Sequence, residues 1–298
     1  MIQEIARAKI NLFLHVGPVR RDGLHWVESL FAFADDGDCV AAAPADALTL
    51  AVVGPFAEKL AGFPSNDNLV LRAAHALKSA AGVRGGAALT LDKRLPVASG
   101  VGGGSADAAA ALRALIRLWR IDIDGAALRR LAFSLGADIP ACLDGAPVLV
   151  SGAGEVLAPG PKLPPLWAAL VNPGAPMPTG PVFQAFDRAR PDPERPMRPA
   201  SCGATYAGLG RLLSQSRNDL EPFAVELAEG IGEVRRFLAE CCGNLAARMS
   251  GSGATVFGLF ASRGAAERAA RKARGRGWWS MAAAIGAGSG AAGEQGVT

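Results

Sequence analysis

Apolar residues recur along this chain at two spacings, which alternate from one segment to the next. Short apolar runs bounded by turn residues indicate β-strands, and they lie at residues 5–16, 27–33, 48–53, 87–91, 148–150, 167–171 and 255–260. Apolar positions three and four residues apart indicate helices, which we expect at residues 68–81, 106–119, 128–135, 181–186, 219–241 and 265–274. Either Asp67 or Asn68 can cap the first of these helices. Interleaved strands and helices predict a mixed α and β protein rather than a helical bundle or a β-sandwich.

The pattern restarts after Gly152, which predicts a change of domain. A Gly-Ala-Gly turn follows the strand at residues 148–150, and the next strand begins near residue 167. We therefore expect a first domain at residues 1–152 and a second domain at residues 153–284. Residues 285–298 are rich in Gly and Ala, so we expect a disordered tail there.

Composition and charge exclude several classes of protein. Half of the 298 residues are apolar, which is enough for a sizeable core. The net charge of +4, from 31 basic and 27 acidic residues, is too small to indicate a nucleic-acid surface, although it favours an anionic substrate. Apolar stretches end well short of the roughly 18 residues that cross a bilayer. No targeting segment is visible either, so we expect a cytoplasmic protein without a membrane partner.

The five cysteines lack C-x-x-C spacing, so neither a zinc site nor a disulfide framework is predicted.

A glycine-rich loop between a strand and a helix is the strongest chemical signal. Glycine lets backbone amides turn toward one point and lets a phosphate approach closely, and the following helix offers unpaired N–H groups. No Gly-Lys-Ser/Thr follows, so the loop is not of the Walker type, and its spacing does not match a dinucleotide fingerprint. A flexible turn without a ligand is the alternative. As a triphosphate cradle, the loop would bind ATP through Pro96, Val97, Ala98, Ser99, Gly100, Val101, Gly102, Gly103, Gly104, Ser105 and Ala106.

Six further segments are distinctive, and in chain order they are Ala8-Lys9-Ile10-Asn11-Leu12, Arg21-Asp22-Gly23-Leu24-His25, Gly136-Ala137-Asp138-Ile139-Pro140, Asn218-Asp219-Leu220-Glu221, Ser250-Gly251-Ser252-Gly253 and Gly277-Trp278-Trp279. Together with the glycine-rich loop, they resemble the ordered motifs of the GHMP kinases. The resemblance implies an α+β fold with an N-terminal domain like domain 2 of ribosomal protein S5, a ferredoxin-like C-terminal domain and an active site in the cleft between them. It also implies ATP-dependent phosphorylation of an alcohol, in the branch of the family whose substrate is a cytidine-diphosphate-linked polyol.

The resemblance implies that Asp138 is the general base and that Lys9 pairs with it. Phosphoryl transfer needs a positioned alcohol, a proton acceptor and positive charge on the phosphates, and these two residues can supply the last two. Spacing alone favours a helix cap for Asp138 and an exposed lysine at a strand edge for Lys9, and only the matched motifs favour the catalytic roles.

The resemblance also implies a substrate site formed by Asn11, Leu24, His25, Thr179 and Phe183. His25 would bind the cytosine edge, and Phe183 would lie against the face of the base. The family usually has Tyr directly before this histidine, whereas this chain has Leu24. The base is then held between Leu24 and Phe183, or the cytidine group is not what the site recognises.

No carboxylate cluster predicts a dedicated metal site, so we expect Mg²⁺ to arrive with ATP. Two alternatives stay open at this point. One is another GHMP kinase acting on homoserine, mevalonate or a sugar, which Leu24 favours. The other is a nucleotide-binding module without catalysis, against which the intact Lys9 and Asp138 argue. The sequence leaves the oligomeric state open.

Overall fold

The computed structural model describes residues 1–62, 64, 67–175, 177–190, 194, 196 and 204–286. Within that part of the chain the strands are β1 (Ile2–Val19), β2 (His25–Ala45), β3 (Leu48–Val53), β4 (Gly86–Asp92), β5 (Val148–Gly152), β6 (Val156–Pro159), β7 (Leu166–Asn172), β8 (Asn244–Met249), β9 (Val256–Phe260) and β10 (Trp279–Ile285). The helices are α1 (Leu69–Ala80), α2 (Gly103–Trp119), α3 (Gly125–Leu135), α4 (Ile139–Asp144), α5 (Thr179–Ala189), α6 (Tyr206–Ser214), α7 (Glu221–Leu227), α8 (Ile231–Glu240) and α9 (Arg263–Arg274). Strands and helices alternate as the sequence predicts, which confirms the α+β class.

The chain forms two compact units. The first contains residues 1–9, 36–97 and 102–143, and the second contains residues 10–35, 98–101 and 144–298. β1 and β2 each contribute residues to both units. The predicted domain boundary at residue 152 stays a prediction, because the units are built from interleaved segments.

The first unit combines a short sheet with an alanine-rich helix. β3 pairs in parallel with β4, and β4 pairs antiparallel with the second half of β2. α1 begins where predicted, since the Asn68 side chain accepts a hydrogen bond from the Val70 amide. α1 and α2 pack together. The run Ala108–Ala111 of α2 is fully buried, and alanine lets helices approach closely at little cost in side-chain entropy.

The second unit contains a four-stranded antiparallel sheet in the order β10-β7-β9-β8. Along the chain the elements run β7, α5–α8, β8, β9, α9 and β10. This succession of strand, helix, two strands, helix and strand is the ferredoxin-like arrangement, and it confirms the predicted C-terminal fold. Five alanines of α9 are buried within its core, beside Val256 and Phe260.

Several predicted boundaries are wrong. The predicted helix at residues 219–241 is two helices, α7 and α8, because Gly230 adopts a left-handed φ of 94° between them. α2 begins at Gly103 rather than at Ala106, so two of the loop glycines lie inside the helix. β10 extends to Ile285, the first residue of the predicted tail, whereas residues 287–298 lie outside the described residues. In the described part of the chain, no helix has the length and apolar content needed to cross a bilayer.

Candidate active site

The glycine-rich loop leads directly into α2. Gly102 precedes the helix with a left-handed φ of 66° and supplies no side-chain cap. The first amides of α2 therefore lack an intrahelical partner, and the positive end of the helix dipole lies at the same place. Backbone amides presented in this way are suited to bind phosphate.

The other predicted ATP-binding residues differ in exposure. Ser105 is half-buried in the first turn of α2. Ala98 has a positive φ of 51°, which is uncommon for a residue with a side chain. Pro96, Ser99, Val101 and Ala106 are buried, Val97, Gly100 and Gly103 are half-buried, and Ala98 and Gly104 are exposed.

Lys9 lies against the end of this loop and pairs with Asp138. A Cβ atom at Gly102 would come within 3.0 Å of Cε of Lys9, so only glycine leaves room for the lysine there. Nζ of Lys9 is 3.2 Å from Oδ2 of Asp138. The Lys9 side chain is 6% exposed, whereas that of Asp138 is 36% exposed. The carboxylate is thus accessible to a substrate while its cationic partner is buried.

Asp138 occupies the turn immediately before α4. Its carbonyl accepts a hydrogen bond from the Cys142 amide, so its backbone starts the helix. Its side chain, however, makes the ion pair with Lys9. The sequence alone left open whether Asp138 is a cap or a charge partner, and the structure gives its carboxylate a charge partner.

Asn11 belongs to a buried hydrogen-bond network in the second unit. Its backbone amide donates to Oγ of Ser250 at 3.1 Å, and its side-chain amide donates to Oγ of Ser29 at 2.9 Å. The Ser250 hydroxyl donates to the carbonyl of Gly100 at 2.8 Å. Two predicted site residues, Asn11 and Gly100, are therefore joined through Ser250. Asn11 is only 2% exposed, so in this structure it supports the loop more than it presents a surface to a ligand.

The segment Ser250–Gly253 is held from two sides. The side-chain amide of Asn218 donates to the carbonyls of Met249 and Gly251 at 2.9 and 2.8 Å. Oγ of Ser252 lies 3.0 Å from Oγ1 of Thr179, a predicted substrate residue. Sequence reasoning quoted Asn218 and Ser250 as motif residues without a role, and the structure gives both a role in supporting loops.

His25 and Phe183 pack against each other in the second unit. Their ring centroids are 4.9 Å apart and the rings are tilted by 34°. Nδ1 of His25 lies 2.9 Å from the Gly17 carbonyl, which can only accept, so Nδ1 carries the hydrogen. Nε2 faces Oδ1 of Asp187 at 3.3 Å. The structure thus brings together two of the residues predicted to hold a base.

Asp187 was missed by sequence reasoning, although helical spacing could have found it. It follows Phe183 by four residues and Thr179 by eight, so the three share one face of α5. Leu24, by contrast, is 54% exposed, and its backbone amide donates to the Asp22 carboxylate. Sequence reasoning also missed a buried cluster of Lys93, Asp38 and Asp107, for which no sequence pattern gave a signal.

Two family models match the chain. The model for the GHMP kinases N terminal domain matches residues 68–146, and the model for the GHMP kinases C terminal matches residues 197–277. The first match contains the glycine-rich loop and Asp138. A relative from Cereibacter sphaeroides, 4-diphosphocytidyl-2-C-methyl-D-erythritol kinase, is 53% identical over 285 residues, which cover 94% of this chain and 97% of the relative. The chain belongs to the GHMP kinase family.

One further relative and one solved structure agree with this assignment, and a second solved structure shares the fold. The kinase of the same name from Paramagnetospirillum magneticum is 48% identical and is covered over 95% of its length. A crystal structure of 4-(cytidine 5'-diphospho)-2C-methyl-D-erythritol kinase is 34% identical, has a TM-score of 0.78 and is matched over its full length, with 96% of this chain covered. The homoserine kinase of Cytophaga hutchinsonii is 19% identical with a TM-score of 0.70, which shows a shared fold. The resemblance predicted from ordered motifs is confirmed.

Proposed function

We propose that this chain uses ATP to phosphorylate the 2-hydroxyl of 4-diphosphocytidyl-2-C-methyl-D-erythritol, a step of the non-mevalonate route to isoprenoid precursors. The observation that carries the proposal is the pair of Lys9 and Asp138, 3.2 Å apart, with Lys9 against the end of the glycine-rich loop. Relatives that bear the name of this kinase are about half identical over nearly their whole length, which supports the choice of substrate.

The proposed mechanism follows from the placement of these groups. The substrate hydroxyl oxygen attacks the γ-phosphorus of ATP, the bond from that phosphorus to the β,γ-bridging oxygen breaks, and ADP leaves. Asp138 accepts the hydroxyl proton, which its exposed carboxylate is placed to do. The buried ammonium of Lys9 stabilises the carboxylate before transfer. The first amides of α2 hold the phosphates and stabilise the charge that develops on them.

We propose that Mg²⁺ arrives with ATP, held largely by phosphate oxygens and water. Among the described residues, no three His, Cys, Asp or Glu side chains are grouped so as to hold a metal ion. The hydroxyl of Ser105, in the first turn of α2, is an oxygen donor of the kind that Mg²⁺ prefers. When bound, the ion neutralises charge on the phosphates.

For the base, we propose a site formed by His25, Phe183 and Leu24, with Thr179 closer to the polyol. Asn11, which is buried, acts on this site through Ser250 and the loop that it supports. The tilted His25 and Phe183 rings offer an aromatic surface, and Nε2 of His25 and the Asp187 carboxylate, 3.3 Å apart, are the polar groups beside it. Exposed Leu24 covers apolar area without the flat face of an aromatic ring. This implies that Leu24 binds cytosine more weakly than a tyrosine at the same position would, which can be tested.

A cytoplasmic location remains part of the proposal.

The test is ADP release measured side by side with 4-diphosphocytidyl-2-C-methyl-D-erythritol, mevalonate, homoserine and galactose. We expect release with the first acceptor, and mass and phosphorus spectra that place the phosphate on the 2-hydroxyl. Turnover with another acceptor alone would assign a different GHMP kinase activity. ATP binding without ADP release under all four conditions would identify a catalytically silent module.

A further inference from the structure

Lys93, Asp38 and Asp107 form a buried charged cluster in the first unit. Nζ of Lys93 lies 2.5 Å from Oδ2 of Asp38 and 2.8 Å from Oδ2 of Asp107. None of the three residues is more than 3% exposed. Buried ion pairs contribute little net stability, and their best-attested use is to specify one conformation over others. We therefore expect the cluster to stabilise one particular conformation of the chain around it.

The cluster fixes the chain that enters the glycine-rich loop. Oδ1 of Asp38 accepts hydrogen bonds from the amides of Arg94 and Leu95, at 2.6 and 2.8 Å. Lys93 is the first residue after β4, and its own amide donates to the carbonyl of Val53 at 2.8 Å. The residues directly before Pro96 are thus anchored to the sheet by both their backbone and a buried carboxylate.

The same cluster fixes the helix that leaves the loop. Asp107 lies on α2, four residues after the helix begins at Gly103, and it is joined to Lys93. A Cβ atom at Gly103 would come within 2.9 Å of Nζ of Lys93, so the ammonium lies directly beside the first residue of the helix. The start of α2, which presents the phosphate-binding amides, is therefore tied to the strand end that precedes the loop.

We propose that Lys93 is a positioning residue that clamps the two ends of the phosphate-binding loop by joining Asp38 to Asp107. The proposal rests on the proposed function, because it assumes that the loop binds the phosphates of ATP. Lys93 is enclosed by the two carboxylates and is 3% exposed, so it acts through the loop and does not touch the nucleotide. The clamp sets where the amides of α2 point before ATP arrives.

The charges of the cluster are consistent with this role. Burial lowers the pKa of Lys93, but Asp107 and Asp38 raise it by more, so the bridging ammonium persists. Burial raises the pKa of Asp107, and the Lys93 ammonium can donate to Oδ2 of Asp107 whether or not the other carboxyl oxygen carries a proton. Its Oδ1 atom has no hydrogen-bond partner within the described chain, so Lys93 is the contact that holds this side chain.

The test removes the bridge to α2 and measures ATP and acceptor binding separately. Asp107→Ala deletes the contact and leaves Lys93 paired with Asp38. We expect equilibrium ATP binding to weaken about tenfold, because small misplacements of binding groups are costly, while binding of the cytidine substrate stays unchanged. Asp107→Asn keeps the shape and an acceptor oxygen, so it should restore ATP binding close to that of the unaltered chain.

Two further variants keep the proposal falsifiable. Arg113→Met is the matched control, because Arg113 also ties α2 to the first unit, through Glu4 and the carbonyls of Cys142 and Leu143, but it lies away from the loop. It should lower stability without changing ATP affinity. If Asp107→Ala does not fold, Asp107→Leu fills the space of the aspartate and likewise leaves Lys93 paired with Asp38, and the same selective loss of ATP binding is expected.

The outcomes separate the clamp from the proposed function. Unchanged ATP affinity in a folded variant without the bridge would overturn the clamp and leave the kinase assignment standing. An equal loss in Arg113→Met would also overturn it, because the effect would then reflect general destabilisation. If the unaltered chain does not bind ATP at all, both proposals fail.

Discussion

The buried ammonium of Lys9 lies 3.2 Å from the partly exposed carboxylate of Asp138. A charged pair with one buried and one accessible member is suited to proton transfer, because the accessible carboxylate can meet a substrate hydroxyl. The buried ammonium behind it is the charge partner that holds the carboxylate in place. The two residues are 129 positions apart in sequence, yet both belong to the first unit.

Asp138→Asn keeps the shape of this side chain and removes the proton acceptor. We expect kcat to fall by roughly 10² to 10⁴, the range for losing a general base, with little change in substrate binding. Lys9→Met should also lower kcat, and the double variant should be little worse than the more damaged single variant. Single-turnover kinetics, with circular dichroism to verify folding, measure these effects. Retention of most activity by Asp138→Asn would remove the proposed mechanism.

Gly104→Ala separates ligand binding from folding in the loop. Gly104 lies in α2, and of the atoms in the described part of the chain a Cβ atom there would meet only Cδ1 of Leu69, at an ordinary 3.4 Å. The variant should therefore be as stable as the unaltered chain, or more stable by up to about 1 kcal/mol, because alanine favours the helix. ATP binding should weaken roughly tenfold, or about 1.4 kcal/mol, because the methyl group intrudes where phosphate approaches the backbone.

Gly125→Ala is the matched control for this change. Gly125 is likewise the first-turn glycine of a helix, α3, and its added Cβ would lie 3.5 Å from a guanidinium nitrogen of Arg129. It should gain similar stability in thermal unfolding and leave ATP affinity unchanged in calorimetry. Equal ATP affinity in the Gly104 and Gly125 variants would contradict the phosphate cradle.

Much of the fold could be predicted because local signals agreed with the tertiary structure. β3 has the predicted bounds, and Asn68 caps α1. β10 was missed because its core, Met281 to Ala284, is mostly alanine, which marks neither a strand nor a helix strongly. The break at Gly230 was missed because a single glycine is tolerated within a helical pattern.

Only part of the candidate site could be predicted from the sequence, because its residues lack a distinctive local pattern. Asp138 and Lys9 were found only through family motifs, since capping and solvation are the commoner fates of such residues. The contact of Lys93 with Asp107 depends on how the loop returns the chain to the end of β4. No periodic pattern in the sequence predicts this contact. Lys93 lies in a polar segment of the sequence, and its burial in the structure could not be predicted.

Leu24→Tyr tests the proposed base site. Leu24 is exposed and adjoins His25, whose ring packs on Phe183. An aromatic ring at this position should tighten binding of the cytidine substrate by about 0.5 to 1.5 kcal/mol, the value of an aromatic pair beyond its buried area. ATP affinity should stay constant.

Leu245→Tyr provides the control for a new surface tyrosine. Leu245 lies on β8 and is exposed to a similar extent, 45% against 54% for Leu24. Calorimetric titration of both variants with the cytidine substrate should show tightening only for position 24. An unaltered or weaker dissociation constant in Leu24→Tyr would count against the proposed cytosine contact.

The buried cluster predicts an unusual dependence of stability on pH. Burial raises the pKa of Asp107 from 3.8 to about 8, with Lys93 opposing the shift and Asp38 adding to it. Between these two values the folded chain holds a proton that the unfolded chain has released. The free energy of unfolding therefore falls as pH rises through this window, by at most about 1.4 kcal/mol per pH unit, and levels off above it.

Asp107→Asn removes the titrating group and should remove this slope. Denaturant unfolding of both proteins between about pH 6 and pH 9 should show the variant gaining stability relative to the unaltered chain until about pH 8, after which the difference stays constant. Asp46→Asn, a change at an exposed aspartate, is the control and should give a curve parallel to that of the unaltered chain. Parallel curves for Asp107→Asn as well would mean that Asp107 is ionised in the folded protein throughout this range, with Lys93 compensating its burial in full.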